Sequence, residues 1–202
     1  MSTVLQTKPV AQDILAEKLN FSKALQLVTN KIHATNNIDE IILEMSQDIC
    51  GLFNADRLTV YLVSEDKTSI ISKVKTGLNS FKDLKLPIAE QSIAGFVAVN
   101  KKMINIRDVY DEKELKTFSP HLNFLKQVDT KTGYRTKQML VSPVLDSQSK
   151  ELIGVLQVIN SKAGQPFPPV IEEGAALVCE TLAIAFRQRQ KAVTTVKGKY
   201  DH

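Results

Sequence analysis

The side chains with the most chemical potential fall between Val128 and Asn160. Asp129 and Arg135 bracket the segment Thr132-Gly133-Tyr134, Thr136 follows, and Gln157 and Asn160 sit in a later apolar run. A carboxylate and a guanidinium so placed suit an ion pair that shapes a loop, or a ligand contact, and the structural role is the preferred one. Exposed, such a pair contributes about 0 to 1 kcal/mol; forked and partly buried, it contributes more. Nucleophilic and metal chemistry find little support. Cys50 and Cys179 each lie inside an apolar helical pattern with no cysteine or histidine nearby. They read as buried small hydrophobes, with a bridge or metal site as the alternative. His33, His121 and His202 are far apart, with no Ser/His/Asp or metal-ligand spacing around them. The chain is therefore read as non-catalytic.

Those residues need a frame, and hydropathy supplies one. Residues 139–144 and 153–160 are two runs rich in valine and isoleucine, joined by a polar turn at 146–150, which predicts a hairpin in the middle of a sheet. Upstream, 58–63 predicts a first central strand, a turn at 64–67 leads into a second at 69–75 closed by Gly77 and Asn79, and Leu84, Leu86 and Ile88 mark a third. Ser92 is positioned to cap a short helix over 93–100 that carries Gly95 where a close backbone approach is expected. A short strand at 103–106 precedes a polar, irregular span from 108 to 136, with helical turns predicted around 112–115 and 121–127. Long spans of that kind are usually functional or mobile.

Helices flank this frame. Asp13 caps a predicted helix over 13–36 whose Ile14, Phe21, Leu25, Val28 and Ile32 follow a heptad seam interrupted by Lys18, so a partner helix is expected and the segment is assigned to dimerisation. Residues 1–12 are expected to be disordered. After Asn36-Asn37, the positions Ile38, Ile41, Ile42, Met45, Ile49, Leu52 and Phe53 form the inner stripe of a second helix. A connector at 163–169 leads to a final helix from near Pro169 to about Lys191, with Glu172 and Glu173 near its positive end. Residues 192–202 read as a basic linker to an output domain.

With 202 residues, 43% of them hydrophobic, the chain fits one domain of about 150 residues plus flanks. No stretch approaches the ~18 apolar residues of a membrane span, and the first ten residues lack the pattern of a signal peptide, so a cytoplasmic protein without membrane insertion is expected. The formal charge is +4, and the segment from Arg187 onward supplies all of it. That is one basic tail without interleaved aromatics, which argues against nucleic acid as a partner.

Asp-x-x-Thr-Gly-Tyr-Arg-Thr ahead of a strand ending in Ser-Pro-Val, followed by Ile-Gly-Val-Leu-Gln-Val-Ile-Asn, resembles the second half of a GAF domain, and more closely those of cyclic-nucleotide phosphodiesterases and adenylyl cyclases. Ser92-Ile93-Ala94-Gly95-Phe96-Val97-Ala98 and Ile104-Asn105-Ile106-Arg107-Asp108-Val109-Tyr110 resemble two earlier GAF signatures in the right order. The resemblance covers residues 38–189. It implies an α+β, GAF-like (profilin-like) fold for a domain at 37–191: a six-stranded antiparallel sheet with N- and C-terminal helices on one face and a ligand lid, residues 108–136, on the other.

By the same resemblance, a ligand would meet Thr59, Ile93, Ala94, Thr132, Thr136 and Gln157, with hydroxyls and main-chain amides holding a phosphate diester and Gln157 reading a base edge. Two departures stand out. Where those relatives stack an aromatic residue on the base, this chain has Lys75. Their Asn-Lys, Phe, Asp-Glu signature appears as Asn160, Lys162, Phe167, Glu172 and Glu173, with the lysine displaced by one residue. If Lys162 misses Glu172, the ion pair that pins the back of the pocket is lost or rebuilt.

The residues themselves name no cofactor; the resemblance implies a cyclic nucleotide (cAMP or cGMP) or another small ligand. The expected protein is a sensory module of a bacterial signalling or secretion protein that forms a homodimer through its terminal helices and signals to a linked output domain. Residues 197–202 resemble the entry to the next domain of type II secretion or pilus assembly ATPases. The alternative is a ligand-free interaction module. GAF relatives that reduce free methionine sulfoxide, or attach bilins, use lid cysteines, and residues 108–136 contain none.

Overall fold

The computed structural model describes residues 7–35, 38–75 and 84–197, and places the predicted hairpin inside the sheet. β5 (Met139–Leu145) and β6 (Leu152–Ser161) pair antiparallel, and β6 pairs in turn with β1 (Ala55–Val63). β2 (Ser69–Lys75) and β3 (Lys85–Pro87) extend the sheet beyond β1, and β4 (Ile104–Ile106) lines the opposite edge of β5. The order is β3-β2-β1-β6-β5-β4, antiparallel throughout. Pro143 is tolerated inside β5 because β4 ends opposite Val141, so the missing amide breaks no ladder on that side. Gly154 marks the tightest strand crossing: a Cβ there would overlap the Tyr61 carbonyl oxygen.

Alternation along the strands divides the core in two. Leu58, Val60, Leu140, Val144, Leu156 and Val158 face α1 (Thr7–Ala34), α2 (Ile38–Leu52) and α6 (Pro169–Lys197). Tyr61, Met139, Val141 and Val155 face α3 (Ile93–Asn100) and the lid. This is the expected fold: terminal helices on one face, small helix and lid on the other.

Two helix boundaries move. α1 begins at Thr7 rather than Asp13, with Pro9 in the first turn, where a missing amide costs little. Its seam residues Leu25, Val28 and Ile32 are buried in this chain's own core, and Phe21 packs over Gly174 of α6, so they are not available to a partner helix. Exposed instead are Ile14, Leu15, Leu19 and Leu27 on α1, with Leu177 and Ile184 on α6. α6 runs to Lys197, through positions read as linker. The expected features at residues 1–6, Asn36-Asn37, Gly77, Asn79 and 198–202 lie outside the described residues.

In the lid, α4 (Glu112–Phe118) is capped by the Asp111 carboxylate, which accepts from the Lys113 and Glu114 amides. The second helix, α5 (Gln127–Thr132), comes later than predicted. Residues 121–126 stay outside a helix because the Asn123 amide donates to the Gln91 carbonyl and the Lys116 ammonium to the Leu122 carbonyl, pinning the chain beside the start of α3.

Candidate functional site

Between the sheet and the lid lies a cavity of about 130 Å³. Its floor follows from strand register. Thr59 on β1 sits opposite Gln157 on β6, Arg57 opposite Ile159, and Tyr61 opposite Val155, so Arg57, Thr59 and Tyr61 share one face with Gln157. Met139 of β5 completes the floor, Ile93 and Ala94 at the start of α3 form one wall, and Phe124, Val128, Asp129, Tyr134 and Thr136 of the lid form the roof. Ser92 caps α3 by accepting from the Gly95 amide. A Cβ on Gly95 would overlap the Ala89 carbonyl and come within 2.8 Å of the Pro87 carbonyl, so glycine is what lets α3 start this close to the end of β3.

The polar residues of the site divide into occupied and free. Asp129, 5% exposed, accepts from the Thr136 amide (2.8 Å), the Thr136 hydroxyl (2.7 Å) and the Tyr110 hydroxyl (2.9 Å). Burial, and then the hydrogen bond to Asp129, raises the Tyr110 hydroxyl above the usual tyrosine range. Among the described residues the side chains of Thr59, Tyr61 and Gln157 make no hydrogen bond, although Thr59 and Tyr61 are only 8% and 4% exposed. Tyr61 is likewise held above the ordinary tyrosine value by desolvation.

Two stacked pairs hold the lid. The Arg135 guanidinium lies 3.4 Å from the Tyr110 ring centroid and the Arg57 guanidinium 3.4 Å from that of Tyr134. The Tyr134 hydroxyl donates to Asp56 (2.6 Å) and accepts from the Asn160 amide (2.8 Å). Asn160, at a left-handed φ of 54°, also donates to the Arg135 carbonyl and accepts from the Lys137 amide, tying the end of the lid to the end of β6.

The structure thus brings Thr59, Ile93, Ala94, Thr136 and Gln157 together around one cavity, with Asp129 behind Thr136. Thr132 is not part of the lining: its hydroxyl donates to the Val128 carbonyl and accepts from the Tyr134 amide, closing the end of α5. Lys75 pairs with Thr59 in the β1–β2 register, and its side chain lies outside the described residues. No ion pair joins Asp129 to Arg135 among the described residues; a tyrosine stands between them, stacked on one and hydrogen-bonded to the other. Lys162 is exposed and does not pair with Glu172. The Asn105 amide takes that place, donating to Glu172 (2.6 Å) and to the carbonyl of buried Phe167 (2.7 Å), while Glu173 is exposed. The back of the pocket is therefore rebuilt on an amide.

Sequence reasoning missed Arg57, Tyr61, Phe124 and Tyr134. Arg57 and Tyr61 stand two residues either side of Thr59; alternation within the predicted strand 58–63 already points to Tyr61, and Arg57 follows once β1 starts at Ala55.

Comparison with known proteins agrees with this architecture. The family model described as GAF domain matches residues 37–186. A Drosophila melanogaster protein, dual 3',5'-cyclic-AMP and -GMP phosphodiesterase 11, is 29% identical over 182 residues, covering 75% of this chain and 12% of that protein. The corresponding 11A protein of Takifugu rubripes is 29% identical over 165 residues, covering 76% of this chain and 17% of that protein. The chain thus spans only a small part of these relatives. Among solved structures, the GAF domain of a phosphoenolpyruvate-protein phosphotransferase from Coxiella burnetii superposes with a TM-score of 0.72 at 18% identity, over 88% of this chain and 98% of that one. Free methionine-R-sulfoxide reductase from Neisseria meningitidis gives 0.67 at 11% identity, over 87% and 93%. At those identities the likeness concerns the fold.

Proposed function

The chain belongs to the GAF domain family, and on that premise we propose that it is a non-catalytic sensory module whose cavity takes a small molecule and whose terminal helices pass the result to a linked output domain. The observation that carries the reading is the pair Thr59 and Tyr61, nearly buried residues that line the cavity beside Gln157 and whose hydroxyls have no protein partner among the described residues. Buried polar groups are rarely left unpaired, and a ligand or water satisfies such a set. The cysteines lie apart from the cavity: Cys50 and Cys179 are buried in the opposite core without a disulfide, burial pushes the Cys179 thiol up to about 12, and the lid has no cysteine. Among the described residues no group of three metal-binding side chains occurs, and no helix is long and apolar enough to cross a membrane.

Ligand binding acts through differential affinity. A molecule that bridges floor and roof favours the closed lid, and the response reaches α6 through the sheet it covers. A cyclic nucleotide belongs among the probes because two matched relatives are named for cyclic-AMP and -GMP. At about 130 Å³ the cavity is below the roughly 300 Å³ at which small-molecule pockets begin, so a nucleotide would have to displace the lid. The test is a thermal-shift panel, in which a ligand at a hundred times its Kd should add about 2.7 kcal/mol. Gln157→Leu should abolish that gain with the unliganded melting temperature held. An unchanged gain would remove Gln157 from the site.

A second reading, an interaction module without a ligand, is favoured by the exposed apolar side chains Ile14, Leu15, Leu19, Leu177 and Ile184. The two readings divide over the ligand, and homodimerisation through the terminal helices belongs to both.

A further inference from the structure

The balance of charge around the cavity narrows the chemistry of its occupant. One carboxylate, Asp129, lines the cavity among the described residues, and three donors already compensate it. One cation lines it, Arg57, which is half-buried and forms no ion pair among the described residues. The Tyr134 ring covers one face of its guanidinium at 3.4 Å, and because the cation stacks rather than salt-bridges, its N–H edges keep their capacity for a planar acceptor. Asp129 thus has its acceptors filled, and the Arg57 guanidinium is the charged group of the lining with donors left for an incoming acceptor.

Size and wall chemistry add two constraints. A cavity of about 130 Å³ is close to the ~150 Å³ that accepts a benzene-sized guest. Its surfaces are mainly apolar, with Phe124 from the lid and Met139 and Ile159 from the sheet, while Thr59 and Gln157 offer neutral hydrogen-bonding groups on the floor. Resting on the ligand-binding reading above, we infer that the natural occupant is a compact aromatic carboxylate: one ring enclosed between sheet and lid, its carboxylate forked against Arg57, and a polar ring substituent reaching Thr59 or Gln157. Arg57 is then the residue that sets specificity for an acid over a neutral molecule of the same shape.

The experiment is a calorimetric titration of the whole chain with 4-hydroxybenzoate, its amide 4-hydroxybenzamide, cAMP and cGMP, repeated with Arg57→Gln and Arg57→Lys. The acid should bind at least about tenfold more tightly than the amide, the difference conferred by one charge-assisted pair. Arg57→Gln should erase that preference while leaving weak binding of both ring compounds, and Arg57→Lys, with charge but no fork, should restore it in part. Melting curves and circular dichroism of each unliganded variant confirm folding. Equal affinity for acid and amide, or a preference that survives in Arg57→Gln, overturns the inference. If the aromatic acid fails and a cyclic nucleotide binds, the inference falls and the sensory reading stands. If no compound binds and native mass spectrometry shows no co-purified molecule, both fall.

Discussion

Asp129 is the residue on which the lid turns. Its carboxylate collects the Thr136 amide and hydroxyl and the Tyr110 hydroxyl, so the chain leaving α5 cannot depart from the roof without exposing three donors. Thr136→Val removes one hydrogen bond to a buried charge and should cost about 1.5 to 3 kcal/mol in urea denaturation. A variant as stable as the parent would return Thr136 to ligand contact alone. The sequence announced Asp129, Arg135 and Thr136 as a group but not their wiring. A carboxylate and a guanidinium at that spacing suggest a direct pair, whereas the partner actually chosen, Tyr110, comes from the far end of the lid, where only the folded chain brings it close. Thr132 was unreadable for the opposite reason: threonine hydroxyls compete for nearby backbone groups, and its bond to the Val128 carbonyl is local. Gln157 and Thr59, named by resemblance, face each other in the β1–β6 register and line the cavity, because a strand's period of two leaves little choice of face.

At the scale of elements, the two hairpin turns opposite the lid connections are joined by charge. Arg187 of α6 pairs with Asp146 (2.7 Å) and Glu151 in the β5–β6 turn, and Lys67 of the β1–β2 turn reaches the same Glu151. Asp146 is held below the usual carboxylate range first by the Ser149 amide, and Glu151 first by Lys67. In the β1–β2 turn the Ser64 hydroxyl and the Thr68 amide bring Asp66 down to about 2. Groups with depressed folded values add stability above the ordinary carboxylate range and lose it as the pH falls through the depressed values. The melting temperature should therefore drop between about pH 4 and pH 2. Asp66→Asn should flatten part of that drop, and an identical acid profile would exclude the turn as its source. The helices show where periodicity misleads. α2, α3 and α6 were legible from apolar spacing and caps, whereas the turn expected over 121–127 gives way to a helix that starts only at Gln127, because hydrogen bonds hold residues 122 and 123 beside α3 and α4.

For the whole molecule, the sheet and its two unlike faces follow from sequence, but the division of α1 between core and surface does not. A heptad seam says that a helix has a neighbour without saying whose. Here Leu25, Val28 and Ile32 are covered by the chain itself, and the side chains left exposed are Leu15 and Leu19 with Leu177 and Ile184 on α6. Leu15→Glu combined with Leu19→Glu should convert a dimer to monomers in light scattering without loss of helicity, while Leu25→Glu should unfold the chain. A parent protein that is monomeric at high concentration would remove the dimer. The amide that replaces lysine behind the cavity also bears on the whole. β4 is an edge strand of the sheet, and its hold on the root of α6 runs through Asn105 to Glu172, a short directional bond between a neutral group and a carboxylate. Mobile ions weaken attraction between opposite charges far more than they weaken such a bond, so the root of α6 should be held much the same in brine as in dilute buffer, whereas the Arg187 pairs further along the helix should loosen.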